Sequence, residues 1–358
     1  MQIGILKETK NKEGRVAATP AMVADWVKEG HTVAIQKNAG INVGYKDADY
    51  IRSGAQILNA PKVLIQKSEL IIKVKEPTLE EVDLMQEGQM IFCYLHLASM
   101  PALLKKILKR KITALGYETV ELKDHSLPLL KPMSEIAGQL ASLNGAFYLR
   151  ADQGGRGVLL GGTETVEPAS TVVLGGGTVG ENAARVAAGM GSKVLVFDVS
   201  EDRLKVLKKK LPSIQTAISD LKAIEKAVKD CDLLIGAVLI PGAKAPKLVT
   251  QDTVEQMKGG AVIVDVAVDQ GGCVETSVVT SHENPVVKRF SILHYGVPNM
   301  PGSVPITATE ALTNVSHKYI TALADLGLVG VQKKYPEMEG ALNCFKGEIS
   351  HKALKGIV

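Results

Sequence analysis

The chain has 358 residues, 42 basic and 38 acidic, for a formal net charge of +4, a length suited to two domains each with its own core. Hydrophobic residues make up 46% and charged residues 22%, a globular composition that excludes a disordered chain. Aromatics at 4% leave little for stacking on bases, and the one basic run, residues 205–210, reads as a solvated helix face; no nucleic-acid partner is expected.

Cys93, Cys231, Cys273 and Cys344 stand far apart with no C-x-x-C spacing, so they read as reduced core thiols and not as a disulfide frame or metal site. The start, Met1-Gln2-Ile3-Gly4, enters a strand directly and lacks the apolar segment of a signal peptide. No apolar stretch approaches the roughly 18 residues of a spanning helix. A cytoplasmic protein without membrane segments is expected.

Short apolar runs alternate with helical patterns. Residues 3–6 read as a strand; Thr19 then caps a helix with Pro20 at its first position and Gly30 beyond its end. Strands follow at 32–36, 70–74 and 90–95, a helix at 99–111 and a strand at 112–115. After the proline-containing stretch 127–132 comes a long helix, 134–149, a glycine-rich loop at 153–157, and strands at 171–174, 193–197, 233–238 and 261–266 with helices between. Residues 308–326 carry Ala311, Leu312, Val315, Tyr319, Ile320 and Leu323 on one helical face. The pattern predicts an α/β protein with two doubly wound parallel sheets. The tail after Pro305 is too short for a domain and is expected to return to the first one. The expected division is 1–130 with 304–358, a discontinuous Rossmann-like domain, and 131–303, a Rossmann-type nucleotide domain.

The strand at 171–174 leads into Gly175-Gly176-Gly177-Thr178-Val179-Gly180, and a helix at 181–190 follows. Gly175 permits the tight turn, Gly177 lets a pyrophosphate approach the backbone, and Gly180 lets helix and strand pack closely. The helix N-terminus offers N–H groups and a positive dipole end to phosphates. The next strand ends at Asp198, where a carboxylate suits the ribose hydroxyls. Its charge favours NAD over NADP, although Arg203 nearby could offset it.

Open parallel sheets bind ligands beyond the carboxyl ends of their strands. Arg15, Lys75, His96 and Asp269 all fall at such ends. The cations suit a small carboxylate and its carbonyl; the histidine and aspartate can take and return protons. Each also has a plainer reading: surface charge for Arg15 and Lys75, a structural histidine for His96, a turn cap for Asp269.

The chain resembles the bacterial alanine dehydrogenases of the alanine dehydrogenase/transhydrogenase alpha-subunit family. The resemblance spans essentially the whole length: Gly4-Ile5 with Lys7-Glu8, Arg15-Val16-Ala17, Lys73-Val74-Lys75-Glu76-Pro77, Leu95-His96-Leu97, Pro132-Met133-Ser134-Glu135, Gly154-Gly155-Arg156-Gly157, the run GAVLIPGAKAP from Gly236 to Pro246, Asp269-Gln270-Gly271-Gly272 and Asn299-Met300-Pro301. It implies NAD-dependent oxidative deamination of L-alanine to pyruvate and ammonium, in a cleft between two domains of a homo-hexamer. It implies that Arg15 and Lys75 hold the substrate, that His96 and Asp269 transfer protons, and that Ser134, Asp198, Arg203, Val238, Leu239, Asn299 and Met300 contact the cofactor. Ile306, where relatives often have a basic residue, and Gln139, in place of a common arginine, depart from the pattern near the domain junction. Two other functions stay open: the NAD-binding component of a proton-translocating transhydrogenase, and a non-catalytic NAD-binding protein.

Overall fold

The computed structural model describes residues 1–238 and 245–358, with the side chain of Asp269 outside the described set. It divides into two compact units, Met1–Met133 with Gly302–Val358, and Ser134–Pro301. The strands in chain order are β1 (Gln2–Ile5), β2 (Thr32–Gln36), β3 (Gln56–Leu58), β4 (Leu70–Ile72), β5 (Met90–Cys93) and β6 (Thr113–Gly116). The second unit then supplies β7 (Ser170–Leu174), β8 (Lys193–Asp198), β9 (Gln215–Ile218), β10 (Leu233–Gly236), β11 (Val262–Asp265), β12 (Val286–Arg289) and β13 (Ile292–Tyr295). The tail returns to the first unit with β14 (Leu342–Phe345) and β15 (Glu348–Ile349).

The first sheet has the order β15-β14-β6-β5-β4-β1-β2-β3 and the second β12-β13-β11-β10-β7-β8-β9. The chain runs from β1 outward to β3 and then crosses back to β4 on the other side of β1. It does the same around β7, with β10 on the return side. Each sheet therefore has a switch point, and the loops on its two sides diverge to leave a crevice at the carboxyl ends. Pairing is parallel from β6 to β3 and from β13 to β9. The sheets are not wholly parallel, as the sequence pattern suggested: β14 is antiparallel to β6, β15 to β14 and β12 to β13. Tight local returns make the β12–β13 and β14–β15 pairings, where no crossover helix has to fit, whereas β14 reaches β6 from more than two hundred residues further along the chain.

The central strands are buried on both faces, which is why Leu70-Ile71-Ile72 and Leu233-Leu234-Ile235 are unbroken apolar runs. Helix Pro20–Lys28 starts where Thr19 accepts the Met22 N–H, and its buried Trp26 donates Nε1–H to Thr321 at 2.9 Å. Thr321 lies on Pro305–Lys334, whose backbone breaks at Gly327 (φ 66°, ψ −177°), one residue past the predicted helix. The predicted helix at 99–111 instead begins at Pro101, after a 3-10 turn at Leu97–Ser99. All four cysteines are buried free thiols. Among the described residues no helix is long and apolar enough to cross a membrane.

Under the end of β5, Tyr117 packs edge-on against Phe92 (4.4 Å) and Tyr94 (5.2 Å). Its buried hydroxyl has no hydrogen-bond partner among the described residues. An unsatisfied buried hydroxyl costs about 1–3 kcal/mol. Tyr117→Phe is therefore expected to raise the denaturant midpoint or leave it unchanged; a loss above about 1 kcal/mol would mean that the hydroxyl is bonded.

Candidate functional site

In the first unit, the carboxyl edge of the sheet gathers charge. Arg15 follows β1 and is only 2% exposed. Its Nε–H donates to Glu13 Oε1 at 2.7 Å, Nη2 pairs with Glu13 Oε2, and Nη1 lies 3.0 Å from Met133 Sδ. Burial works against the guanidinium charge, but the Glu13 carboxylate more than offsets it, so its pKa is raised. This buried pair overturns the surface reading of Arg15.

Lys75 follows β4, with Nζ 3.9 Å from Glu76 Oε2. Burial holds its pKa below the ordinary lysine value; Glu76 opposes that, while Lys10 and Arg15 add to it. Next to it, Lys73 is enclosed and donates to both oxygens of Glu81 at 2.9 and 2.8 Å. Glu81 also accepts the Thr78 N–H, closing a capping box on helix Leu79–Leu84. Glu8 is buried beneath the same loop and accepts the Val74 N–H at 2.6 Å and the Lys75 N–H at 3.4 Å. Burial pushes its carboxyl up to about 7, against the pull of Lys73.

His96 follows β5 in the left-handed region (φ 47°, ψ 35°), which non-glycine residues adopt at a cost of about 1–3 kcal/mol when strained. Glu118, after β6, holds it there by accepting the His96 N–H at 2.7 Å and the Leu95 N–H at 3.1 Å. The imidazole stacks on Tyr94, with ring centroids 6.1 Å apart and planes 11° from parallel. Arg15, Lys75 and His96 thus stand on the loops after β1, β4 and β5, three adjacent strands across the switch point. Of the carboxylates that hold these residues, Glu8 and Glu76 lie within runs already noted in the sequence but with no role attached, and Glu13 and Glu118 carry no sequence signal of their own. The one indirect signal is that a buried cation requires a carboxylate partner.

In the second unit, a Cβ on Gly180 would lie 1.8 Å from the Gly175 carbonyl oxygen, and one on Gly175 (φ 93°) would lie 2.8 Å from that of Ala237. A Cβ on Gly177 would meet nothing within 4 Å. Gly177 starts helix Thr178–Gly189 with no side-chain cap bond. Asp198 ends β8; its Oδ2 accepts the Gly176 N–H at 2.6 Å and Oδ1 the Ser200 N–H at 2.8 Å. Arg203 donates Nε–H to the Gly176 carbonyl at 2.5 Å and pairs with Glu181.

Val238, half-buried, lies beyond β10, beside Gly175. Asn299 (φ 57°) and the buried Met300 lie beyond β13, and Ser134 is half-buried on helix Lys131–Tyr148. Leu239 lies outside the described residues. Asp269 falls in the 3-10 turn Val268–Gln270 after β11, with its side chain outside the described set. Asp265 was not foreseen. It is buried, accepts the Val274 N–H at 3.2 Å, and faces Gly272 so closely that a Cβ there would lie 2.3 Å from its Oδ2. It thereby anchors residues 272–274, which directly follow the turn that carries Asp269.

An open glycine at an uncapped helix start fits a pyrophosphate. A carboxylate with two N–H bonds keeps lone pairs for ribose hydroxyls. The residues present therefore fit a dinucleotide.

Two doubly wound units, one with this glycine-rich turn, define a two-domain α/β protein of the nucleotide-binding type. The family model "Alanine dehydrogenase/PNT, N-terminal domain" matches residues 4–137 and "Alanine dehydrogenase/PNT, C-terminal domain" residues 141–352; the chain belongs to the alanine dehydrogenase/PNT family. It is 49% identical over 356 residues to the alanine dehydrogenase of Methanococcus maripaludis, covering 99% of this chain and 95% of that one. A solved L-alanine dehydrogenase superposes with a TM-score of 0.95 at 47% identity, covering 100% and 99% of the two chains. A solved transhydrogenase from Sinorhizobium meliloti shares the fold, with a TM-score of 0.83 at 22% identity over 99% and 100%.

Gly180→Ala is expected to lower stability by several kcal/mol, because backbone blocks the new methyl, whereas Gly177→Ala should unfold like the parent. Equal denaturant midpoints for the two variants would contradict the turn geometry. Glu8 gives a pH signature. Its carboxyl binds a proton in the folded state up to about 7 but only up to the ordinary 4.5 when unfolded. Between these values the folded state holds more protons, so stability falls as pH rises, by on the order of 3 kcal/mol. Glu8→Gln should flatten that slope in urea titrations across the window; an unchanged slope would place the titrating group elsewhere.

Proposed function

We propose that the chain catalyses the reversible NAD-dependent oxidative deamination of L-alanine to pyruvate and ammonium, with residues 1–130 and 304–358 handling the substrate and 131–303 the nucleotide. The carrying observation is that buried Arg15, desolvated Lys75 and strained His96 stand on adjacent strand ends at a switch point, in a chain whose close relatives are named alanine dehydrogenase.

The phosphates would lie against Gly175, Gly177, Gly180 and the helix start. Asp198 would take the ribose hydroxyls, with Ser134, Arg203, Val238, Leu239, Asn299 and Met300 as further contacts. When bound, the nicotinamide supplies a hydride acceptor or donor. Arg15, already fixed in one orientation by Glu13, binds the substrate carboxylate. Loss of hydride from Cα and of a proton from nitrogen leaves an iminium, which water attacks. His96 takes one proton of that water and gives it to the departing nitrogen, and the hydroxyl proton follows as the carbonyl forms, so that both protons of the water leave on ammonium, a task suited to imidazole near neutral pH. Asp269 orients the water or relays its proton. Lys75 donates to the oxygen that becomes the pyruvate carbonyl; burial loosens its proton, and charge developing on that oxygen restores it. The assembly we expect is a cytoplasmic homo-hexamer.

Purified protein supplied with NADH, pyruvate and ammonium is expected to oxidise NADH only when all three are present. His96→Ala should lower kcat by at least about 100-fold while NADH binding, followed by calorimetry, persists. Near-normal turnover in that variant would return His96 to a structural role. Retained NADH binding with no turnover of pyruvate and ammonium by the parent would support a transhydrogenase component or a non-catalytic protein instead.

A further inference from the structure

Two charged side chains bond one residue of the glycine-rich turn, and two more are linked to them in a chain of ion pairs. Gly176 gives its N–H to Asp198 and its carbonyl to Arg203, so the acid and the guanidinium flank a single residue. Arg203 is also held by Glu181, in the first turn of helix Thr178–Gly189. The other oxygen of Glu181 accepts from Lys210 at 2.9 Å, from the last turn of helix Glu201–Lys210. Glu181 is half-buried, with 22% of its side chain exposed. Burial works to raise its pKa, but the bonds from Lys210 and Arg203 prevail and hold it below the usual carboxylate range. It is therefore charged at neutral pH.

We propose that Glu181 is a specificity-determining residue: by engaging Arg203 and Lys210 together, it withholds the cations that would otherwise receive a 2′-phosphate beside Asp198. This rests on the nucleotide-binding reading above. Asp198 alone is an incomplete filter, because an arginine beside the ribose-binding acid accommodates the 2′-phosphate in dinucleotide folds of this type. With Glu181 present, two acids balance two bases around the turn. An incoming phosphate must then compete with a carboxylate that already has the guanidinium in an ion pair, and it meets Asp198 with no surplus of positive charge. Without Glu181 the same site has one net positive charge and a guanidinium able to turn.

The test is binding, not turnover. Dissociation constants for NADH and NADPH are measured by nucleotide fluorescence in the parent, Glu181→Gln and Glu181→Gln/Arg203→Gln, with far-UV circular dichroism as the folding control. Glu181→Gln is expected to tighten NADPH by about tenfold, and the gain should shrink at high salt. NADH should change by less than about threefold, and the double variant should lose the gain. Glu181→Ala repeats the comparison without a side-chain amide left to hold Arg203. NADPH constants equal in the parent and both Glu181 variants, with NADH still bound, would overturn the proposal alone. So would a gain that survives removal of Arg203. Failure of the parent to bind NADH would overturn the nucleotide reading, and this inference with it.

Discussion

Burying cations at a sheet edge is the constraint on which the first unit is built. Removing an ion from water costs several kcal/mol even after the protein relaxes, and a buried charge left without its partner costs about 3–5 kcal/mol. Each buried or half-buried base at this edge is accordingly met by a carboxylate, Arg15 by Glu13, Lys73 by Glu81 and Lys75 by Glu76, and Glu76 also pairs with the exposed Lys10. Glu8 sits beneath them, bonded to the backbone that leads into Lys75. These pairings fix the side chains in place before any ligand arrives, which lowers the ordering cost of binding. They leave Lys75 as the base whose pKa burial still pulls down.

The second unit uses the same winding with a different instrument at its switch point. There the fit at the turn itself is steric, with glycines at 175 and 180 because neighbouring carbonyls leave no room for a side chain, and at 177 beside open space. Asp198 takes the amide of Gly176, so the acid at the end of β8 also shapes the turn. The sheet thus supplies a common frame, and the loops beyond its parallel strands supply the chemistry.

The central strands could be read from sequence because burial on both faces makes them continuous apolar runs, as in β4 and β10. β9 and β12 carry no strand signal because edge strands face water, Val286-Val287-Lys288-Arg289 being mostly exposed, and the buried β13 carries none because His294 interrupts its apolar run. The return of residues 302–358 to the first unit runs through β14 and β15, whose place beside β6 depends on partners far away in the chain. At the site, residue type and strand-end position singled out Arg15, Lys75 and His96, but not what holds them. Glu13 stands two residues from Arg15 and looks like surface charge in a run of lysines. Glu118 reaches His96 only because β5 and β6 are neighbours, and the left-handed backbone at His96 has no sequence signature.

The central claim is that Lys75 is a base whose proton burial has loosened within an otherwise compensated cluster. The direct measurement is the number of protons taken up when pyruvate binds to the NADH-saturated protein, obtained by calorimetry in buffers of different ionisation enthalpy across the alkaline range below the ordinary lysine value. An anion arriving at Lys75 favours its charged form, so net uptake is expected in the parent, and that uptake should be missing in Lys75→Ala. Equal proton uptake by the parent and by Lys75→Ala variants that still bind pyruvate would contradict the claim.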